Sequence, residues 1–221
     1  MTLAKNINVL WFRQDLRLAD NPALTNALED GKTLPIFILD NVNSKEHRNG
    51  AASKWWLHHS LIKLDKSLKN KLCFFRGNPI DILDEINKRF EISNIFWSRC
   101  YEPWRIKRDK KIKKHFNDQN VNVNTFNGSL LWEPWNISKK DGTPYKVFTP
   151  YYRKGCLNSD KPRMPLPVPN LSNLISIDNH DLKIEDLELM PKYNWYNKMT
   201  SIWSPGEEGA LNKIEVFISN G

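Results

Sequence analysis

The segment from Ile7 to Leu24 reads INVLWFRQDLRLADNPAL. Ile7 to Phe12 is a mostly apolar run of strand length, and the pair Asn21-Pro22 has the order typical of a helix N-cap followed by the first helical residue. An apolar strand that leads into a helix predicts the first unit of an α/β sheet with helices on both faces.

Similar units follow along the first 130 residues. Four more apolar, β-branched or aromatic runs are predicted strands: Leu34 to Leu39, Leu72 to Phe75, Ile92 to Trp97 and Val121 to Phe126. Helical patterns lie between them, and one opens at Asn78-Pro79 in the same way as the first. Strands alternating with helices predict a doubly wound, five-stranded parallel sheet of the Rossmann-like α/β kind.

The pattern changes after about residue 128, where Pro- and Trp-rich sequence begins. Four prolines between residues 162 and 169 exclude a helix or a central strand there. A helix resumes after Pro205, and its apolar stripe needs something to pack against: Ala210, Leu211, Ile214 and Phe217. We therefore divide the chain into an α/β domain over residues 1–130, an extended linker over 131–204 and a short C-terminal helix over 205–221.

Composition and charge limit the classes of function. The chain has 221 residues and a net charge of +8, which favours an anionic partner such as nucleic acid. The three cysteines, Cys73, Cys100 and Cys156, lack the spacing of a disulfide framework or a zinc site, so we expect a cytoplasmic location. Because no segment is apolar for long enough to be a signal peptide or to span a bilayer, a membrane partner is not expected.

Motifs for nucleotide, hydrolytic and metal chemistry are missing, and we assign no catalytic or metal-binding residue. No GxGxxG fingerprint or P-loop follows a predicted strand, and no Ser-His-Asp or Cys-His arrangement has local support. His58 and His59 are adjacent, so on a helix they point about 100° apart and do not form a metal pair. Arg13, Asp15 and Arg17 could bind an anion after the first strand, but we favour an internal ion-pair network.

A candidate ligand crevice lies where the carboxyl ends of the predicted strands meet. The start of the second helix, Ser53 to Trp56, and the segment Cys100 to Arg108 after the fourth strand both reach it. Their side chains offer ring faces and charges typical of a site for a planar heterocycle: Lys54, Trp55, Trp56, Tyr101, Glu102, Trp104, Arg105 and Arg108. The alternative is that several of these rings only fill the space between helices and sheet.

The fourth predicted helix, from about Trp104 to His115, is densely basic. Its charged side chains could contact a phosphate backbone: Arg105, Lys107, Arg108, Lys110, Lys111, Lys113 and Lys114. They are spread round the helix rather than along one stripe, however, and we interpret them as a solvated surface.

Five separated motifs follow one another in an order shared with a known family. They are Val9 to Leu24, Ala51 to Leu61, Tyr101-Glu102-Pro103 with Arg108-Asp109, Pro144 to Tyr151, and Trp203 to Ala210. In this order they resemble the N-terminal half of DNA photolyases and cryptochromes, including the family's Tyr-x-Val-Phe-Thr-Pro-Phe motif and the linker into its helical domain. The resemblance covers essentially the whole chain.

The resemblance implies a light-harvesting antenna chromophore on the α/β domain and FAD in a helical domain, where reduced FAD repairs cyclobutane pyrimidine dimers in DNA. The family's FAD-cradling and lesion-binding residues follow the part that this chain matches. We therefore expect the helical FAD domain to be absent, FAD to be bound only if a separate helical domain supplies its site, and DNA to be a partner of the complete enzyme. The isolated chain is expected to lack deoxyribodipyrimidine photo-lyase activity.

The resemblance also implies where an antenna would bind. Deazaflavin-type members use the end of the second strand, the start of the second helix and the segment after the fourth strand, which correspond here to Ile38, Ser53, Lys54, Trp55, Trp56, Cys100, Tyr101, Glu102, Trp104, Arg105 and Arg108. The chain differs from the family pattern at Ser53, where an arginine is expected, and at Cys100, where an acidic residue is expected. Folate-type members carry Asn-Glu where this chain has Trp104-Arg105, so a deazaflavin or flavin is favoured over methenyltetrahydrofolate.

Three functions remain open at this point. The leading hypothesis is an antenna-binding module derived from a light-dependent DNA repair enzyme or a blue-light receptor. The alternatives are a basic nucleic-acid-associated binding module and an inactive remnant that lacks the FAD half.

Overall fold

A five-stranded parallel sheet organises the molecule. The computed structural model describes residues 6–44, 47–177 and 182–220. In chain order the strands are β1 (Ile7–Phe12), β2 (Thr33–Leu39), β3 (Cys73–Arg76), β4 (Ile92–Ser98) and β5 (Asn122–Phe126). The strands lie side by side in the order β3-β2-β1-β4-β5, and all neighbours are parallel. The predicted doubly wound sheet is confirmed, with each strand within one residue of its expected bounds.

Four helices cover the two faces of this sheet: α1 (Pro22–Asp30), α2 (Ala51–Ser67), α3 (Pro79–Phe90) and α4 (Pro103–Asn117). Leu10 and Phe12 point toward α1 and α2, whereas Val9 and Trp11 point toward α3 and α4. Because side chains alternate along a strand, a strand that is buried on both faces must be apolar at nearly every position. The strand order reverses direction between β1 and β4, and in such sheets ligands bind in the crevice at that point.

The segment after β5 wraps around the sheet domain. It contains short helical turns, including α5 (Phe148–Pro150), and the six-residue helix α6 (Asn197–Ile202). The N–H of Asp20 donates to the carbonyl of Leu166 at 2.8 Å, and the N–H of Ile175 donates to that of Thr33 at 2.9 Å. Leu174, Leu187 and Leu189 are buried in the core on the α1 and α2 side. The part of the chain predicted as a linker therefore contributes to the hydrophobic core.

The last helix, α7 (Glu207–Asn220), is anchored at its first residue. The Glu207 carboxylate accepts hydrogen bonds from the backbone N–H groups of Leu18 and Ala19, at 2.8 and 2.9 Å. Gly209 allows the close approach of the preceding turn, since a Cβ atom at this position would lie 1.9 Å from the Ser204 carbonyl oxygen. The residues of the predicted apolar stripe lie on this helix, but they are largely exposed to solvent, with exposed fractions of 56% for Leu211, 55% for Ile214 and 77% for Phe217.

Among the described residues, no helix combines the length and apolar character needed to cross a bilayer. Within the same ranges, no group of His, Cys, Asp and Glu side chains is arranged to hold a metal ion.

Two helices begin at an Asn-Pro pair, but only one asparagine caps its helix. The Asn21 Oδ1 atom accepts a hydrogen bond from the N–H of Leu24 at 3.1 Å, and its Nδ2 atom donates to the Arg17 carbonyl at 3.1 Å. The Asn78 side chain makes no capping bond and donates instead to the Asp81 carboxylate. The start of α3 at Pro79 is confirmed, yet its N-cap lacks the hydrogen bond that the sequence predicts.

We expect Asn21→Ala to lower the free energy of unfolding by about 2 kcal/mol, because a buried cap and its donor bonds are lost together. Urea denaturation monitored by circular dichroism measures the change. Asn78→Ala removes the same residue type from an equivalent position without a cap, and it should cost under about 0.5 kcal/mol. Equal losses in the two variants would contradict the assigned role of Asn21.

We expect Glu207→Ala to raise the amide exchange rates of Leu18 and Ala19 by roughly tenfold or more, because each N–H loses a charge-assisted acceptor. Native-state hydrogen exchange at these two amides is the measurement. Glu208→Ala is the control, since Glu208 is exposed and is not an acceptor for these amides. Unchanged exchange in Glu207→Ala would show that α7 is held in another way.

Candidate functional site

A cleft of about 1090 Å³ opens at the carboxyl ends of β1 and β2, beside the point where the strand order reverses. The start of α2 and the start of α4 form two of its walls, and the loop after β2 forms part of its rim. Residues of the wrapping segment and of α7 close a further side. The cleft therefore lies where parallel α/β sheets usually bind ligands.

The floor of the cleft is formed by strand ends. Trp11 of β1 and Ile38 of β2 line it, and both are almost fully buried. Asp40 follows β2 directly and accepts a hydrogen bond from Arg108 Nη1 at 3.1 Å. Both members of this ion pair are buried, with 7% and 6% of the two side chains exposed, so removal of either one would leave a buried charge without this partner.

A buried ion-pair network fixes the segment after β1. The Arg13 guanidinium donates to the Ser98 carbonyl and to Asp109, whose other carboxylate oxygen accepts from Arg108 at 2.8 Å. Asp15 accepts from the backbone N–H of Arg13 at 3.1 Å. The prediction of an internal ion-pair network is confirmed for Arg13. Among the described residues Asp15 is held by N–H donors rather than by a cation, and Arg17 makes only a partly exposed contact with Asp20 at 3.8 Å.

The α4 wall carries an aromatic ring bracketed by cations. The Trp104 ring lies 5.0 Å from the Arg105 guanidinium and 5.3 Å from that of Arg108, both cation–π distances. His47 stacks on Trp104 with ring centroids 5.9 Å apart and ring planes within 7°. This half-buried indole lines the cleft, and its contact with His47 shows that a planar ring can stack on it.

The α2 wall carries Lys54 and Trp56. Trp56 is 40% exposed and packs edge-on against Trp203, with centroids 5.9 Å apart, which restricts the orientation of its ring. Lys54 is half-buried, and its ammonium group has no ion pair or hydrogen bond among the described residues. This wall therefore offers a fixed aromatic ring and an ammonium group that no carboxylate of the described residues neutralises.

More cationic than anionic side chains line the cleft. Arg13, Arg108 and Arg76 have carboxylate partners, whereas Lys54 has none within the described part of the chain. Arg48 also lines the cleft and makes one long bond of 3.4 Å to the Asn41 carbonyl. A ligand with an anionic group would find two cations that no carboxylate in residues 6–44, 47–177 and 182–220 neutralises.

The structure brings six of the residues predicted for the site to this one cleft: Ile38, Lys54, Trp56, Trp104, Arg105 and Arg108. Five others do not line it: Ser53, Trp55, Cys100, Tyr101 and Glu102. Each of the five has a place elsewhere in the fold.

Trp55 lies in the interior, with 1% of its surface exposed. Its ring contacts the rings of His59 and Tyr196, at centroid distances of 4.8 and 6.4 Å. Successive residues on a helix point about 100° apart, so Trp55 faces inward while its neighbour Trp56 faces the cleft. Ser53 is exposed and lies outside the cleft.

The residues after β4 are held by protein partners. Tyr101 donates to the Glu133 carboxylate at 2.7 Å, and burial together with this bond raises the pKa of its phenol to about 12. Cys100 is buried, with its Sγ atom 3.4 Å from Arg105 Nη1. Glu102 accepts from Gln14 at 3.2 Å. The alternative considered from the sequence, that some of these groups serve packing alone, describes Tyr101 well.

Sequence reasoning missed several residues that line the cleft, among them Trp11, Asp40, His47 and Glu207. A signal was present for Trp11 and Asp40, because both stand at the carboxyl end of a predicted strand. His47 and Glu207 carried no such signal, since a loop and a distant helix bring them to the cleft.

Comparison with known proteins agrees with the fold. A family model described as DNA photolyase matches residues 8–170. The deoxyribodipyrimidine photo-lyase of Agrobacterium fabrum is 35% identical over 215 residues, which cover 95% of this chain and 44% of that protein. The chain thus spans less than half the length of this relative.

Solved structures give the same picture. A bacterial class III photolyase from Agrobacterium tumefaciens superposes with a TM-score of 0.86 at 34% identity, over 99% of this chain and 46% of the other. An archaeal photolyase from Sulfolobus tokodaii, which holds two FAD molecules with the implication of a novel light-harvesting cofactor, shares the fold with a TM-score of 0.65 at 22% identity, over 83% of this chain and 41% of the other. The chain belongs to the DNA photolyase family and has the fold of that family's N-terminal α/β domain.

Proposed function

We propose that the cleft binds a light-absorbing antenna chromophore of the deazaflavin or flavin type. The observation that carries this proposal is that two indoles, Trp56 and Trp104, line the same cleft as two cations, Lys54 and Arg48, which have no carboxylate partner among the described residues. The indoles offer faces to a planar heterocycle, and the cations offer partners to its polar edge or to an anionic tail.

The residues present fit such a group in size and in chemistry. Ligand pockets for compounds of this size usually enclose about 300–1000 Å³, and this cleft encloses about 1090 Å³. Ile38 and Trp11 supply an apolar floor, and Asp40 and Arg108 supply fixed charges at one end. When bound, such a chromophore absorbs light and passes the excitation energy to an acceptor.

The protein's own residues would hold and shield this group. Trp56 is fixed by Trp203, and Trp104 by the Arg105 and Arg108 guanidiniums, so neither ring has to be ordered when a ligand binds. We propose Ile38, Lys54, Trp56, Trp104, Arg105 and Arg108 as binding residues, and we leave out the five sequence candidates that do not line the cleft. Trp104 and Arg105 together give this wall a cationic and aromatic character, which supports a flavin-like ring over a folate.

The wider role rests on the family. We propose that the chain acts as the light-harvesting domain of a DNA repair enzyme or of a blue-light receptor. FAD and the damaged DNA would then be bound by a helical domain of the kind that the longer relatives possess. We propose that the chain alone has no light-driven repair activity.

We expect Trp56→Leu to raise the Kd for the bound chromophore by roughly tenfold, which corresponds to the loss of about 1.4 kcal/mol of ring stacking. The purified chain is titrated separately with a deazaflavin, with flavin mononucleotide and with methenyltetrahydrofolate, and chromophore fluorescence reports binding. Trp135→Leu is the matched control, because Trp135 is 61% exposed and lies outside the cleft.

The order of affinities tests the choice of chromophore. Binding of the deazaflavin or flavin that Trp56→Leu weakens and Trp135→Leu leaves unchanged would support the proposal. If circular dichroism shows that the chain is folded and it binds none of the three chromophores, the proposal is wrong. That result would favour the inactive remnant. Tighter binding of the folate would correct the chromophore type while keeping the site.

A further inference from the structure

One face of α4 carries a lysine stripe, which we define as Lys107, Lys110, Lys111 and Lys114. All four are exposed, and their spacing of three and four residues places them on the same side of the helix. The opposite side is buried through Arg108, Ile112 and Phe116. The exposed lysines agree with the solvated surface that the sequence indicates. Burial of the opposite side, which the sequence does not reveal, leaves four of them together in one stripe.

Few carboxylates of the described residues pair with the lysines of the stripe. Lys114 pairs with Asp118 at 2.6 Å, whereas the other three lysines have no ion pair among the described residues. Two carboxylates on α4 and α3 are engaged elsewhere: Asp109 contacts Arg13 and Arg108, and Asp84 contacts His115 at 2.9 Å. Among the described residues this face therefore carries an excess of positive charge.

A polar pocket continues the stripe at the C-terminal end of α4. It encloses about 430 Å³ at the amino ends of β4 and β5, the edge of the sheet opposite the cleft. We call it the asparagine pocket, after its lining residues: Asn94, Lys113, Asn117, Asn120, Asn122, Val123 and Asn124. Asn117 lies three residues after Lys114, so the helix carries the stripe directly into this pocket.

Most of the amides in the asparagine pocket have spare hydrogen-bonding capacity. The Asn94 side chain donates to Asn8 at 3.2 Å and to Asp30 at 2.9 Å. The side chains of Asn117, Asn122 and Asn124 make no hydrogen bond to any residue that the structure describes. Each amide can both donate and accept, and Lys113 adds a positive charge beside them.

We propose that the lysine stripe and the asparagine pocket together bind the sugar-phosphate backbone of a nucleic acid. Lysine and asparagine side chains are common donors to phosphate oxygens. From Lys107 to Lys114 the helix rises about 10 Å, and one strand of a duplex places a phosphate about every 3.4 Å along its axis. The stripe thus spans about three phosphate steps, which are bounded by about four phosphates.

The composition of the surface favours nucleic acid over an anionic membrane. A helix that lies on a membrane needs an exposed apolar face, but Ile112 and Phe116 of α4 are fully buried. Ile106 is the one large apolar side chain of α4 that is notably exposed within the described residues, at 38%. This surface lies at the opposite edge of the sheet from the cleft, so the inference is independent of the proposed chromophore site.

The test uses the full chain and a fluorescein-labelled DNA duplex, with Kd measured by anisotropy over a range of KCl concentrations. A stripe variant carries Lys107→Gln, Lys110→Gln, Lys111→Gln and Lys114→Gln. A control variant loses the same charge at exposed lysines elsewhere: Lys139→Gln, Lys140→Gln, Lys192→Gln and Lys198→Gln.

The stripe variant should bind at least tenfold more weakly at low salt. The slope of log K against log salt should also be shallower by about 3 to 4, since each phosphate that is no longer neutralised changes the slope by about 0.9. The control variant should keep most of the affinity at low salt and most of the salt slope. Equal losses in the two variants would overturn the proposal, because binding would then depend on net charge alone. Absence of binding by the unaltered chain would overturn it as well.

A second variant tests the asparagine pocket without changing charge. Asn117→Ala combined with Asn124→Ala should weaken binding severalfold and leave the salt slope unchanged, since neutral amides displace no counterions. An unchanged Kd would remove the pocket from the proposed surface. Sedimentation with vesicles containing phosphatidylserine provides the remaining comparison, and stripe-dependent binding to vesicles but not to DNA would overturn the assignment to nucleic acid.

Discussion

A shared carboxylate at the carboxyl end of the sheet holds the cleft together. Asp109 on α4 accepts from Arg13, which follows β1, and from Arg108, which also reaches Asp40 at the end of β2. All of these charges are largely buried, so each depends on the others, and losing one member of such a group typically costs about 3–5 kcal/mol. The Trp11 ring lies against both guanidiniums, at 5.3 and 4.9 Å. The buried charges beneath the cleft are therefore held in ion pairs with one another.

The fold could be predicted from the sequence almost completely, because its signals are local. A strand buried on both faces is apolar at successive residues, and the strands between Ile7 and Phe126 all have this character. The Asn-Pro pairs marked the first residues of α1 and α3 correctly. What the pairs could not reveal is that Asn21 caps and Asn78 does not, since the conformation around each side chain decides this. The return of Leu174 and Leu187 to the core was likewise hidden, because it depends on contacts far apart in the chain.

The site could be predicted only in part, and the reason is rotation about helix axes. Trp55 and Trp56 are chemically identical neighbours, yet one is in the core and the other in the cleft. Tyr101 was a reasonable aromatic candidate until Glu133, 32 residues away, proved to hold its hydroxyl. The same limitation affected α4, where counting charges could not tell which side of the helix the sheet would bury.

The contact that anchors α7 has a donor side and an acceptor side, and the two sides tolerate mutation differently. Its donors are the main-chain N–H groups of residues 18 and 19, which any residue except proline provides, so the sequence there can drift without weakening the contact. Its acceptor is a single side chain, Glu207, and no neighbouring backbone group can replace that carboxylate. Across related sequences, this anchor should therefore be traced through the glutamate position rather than through the segment that it holds.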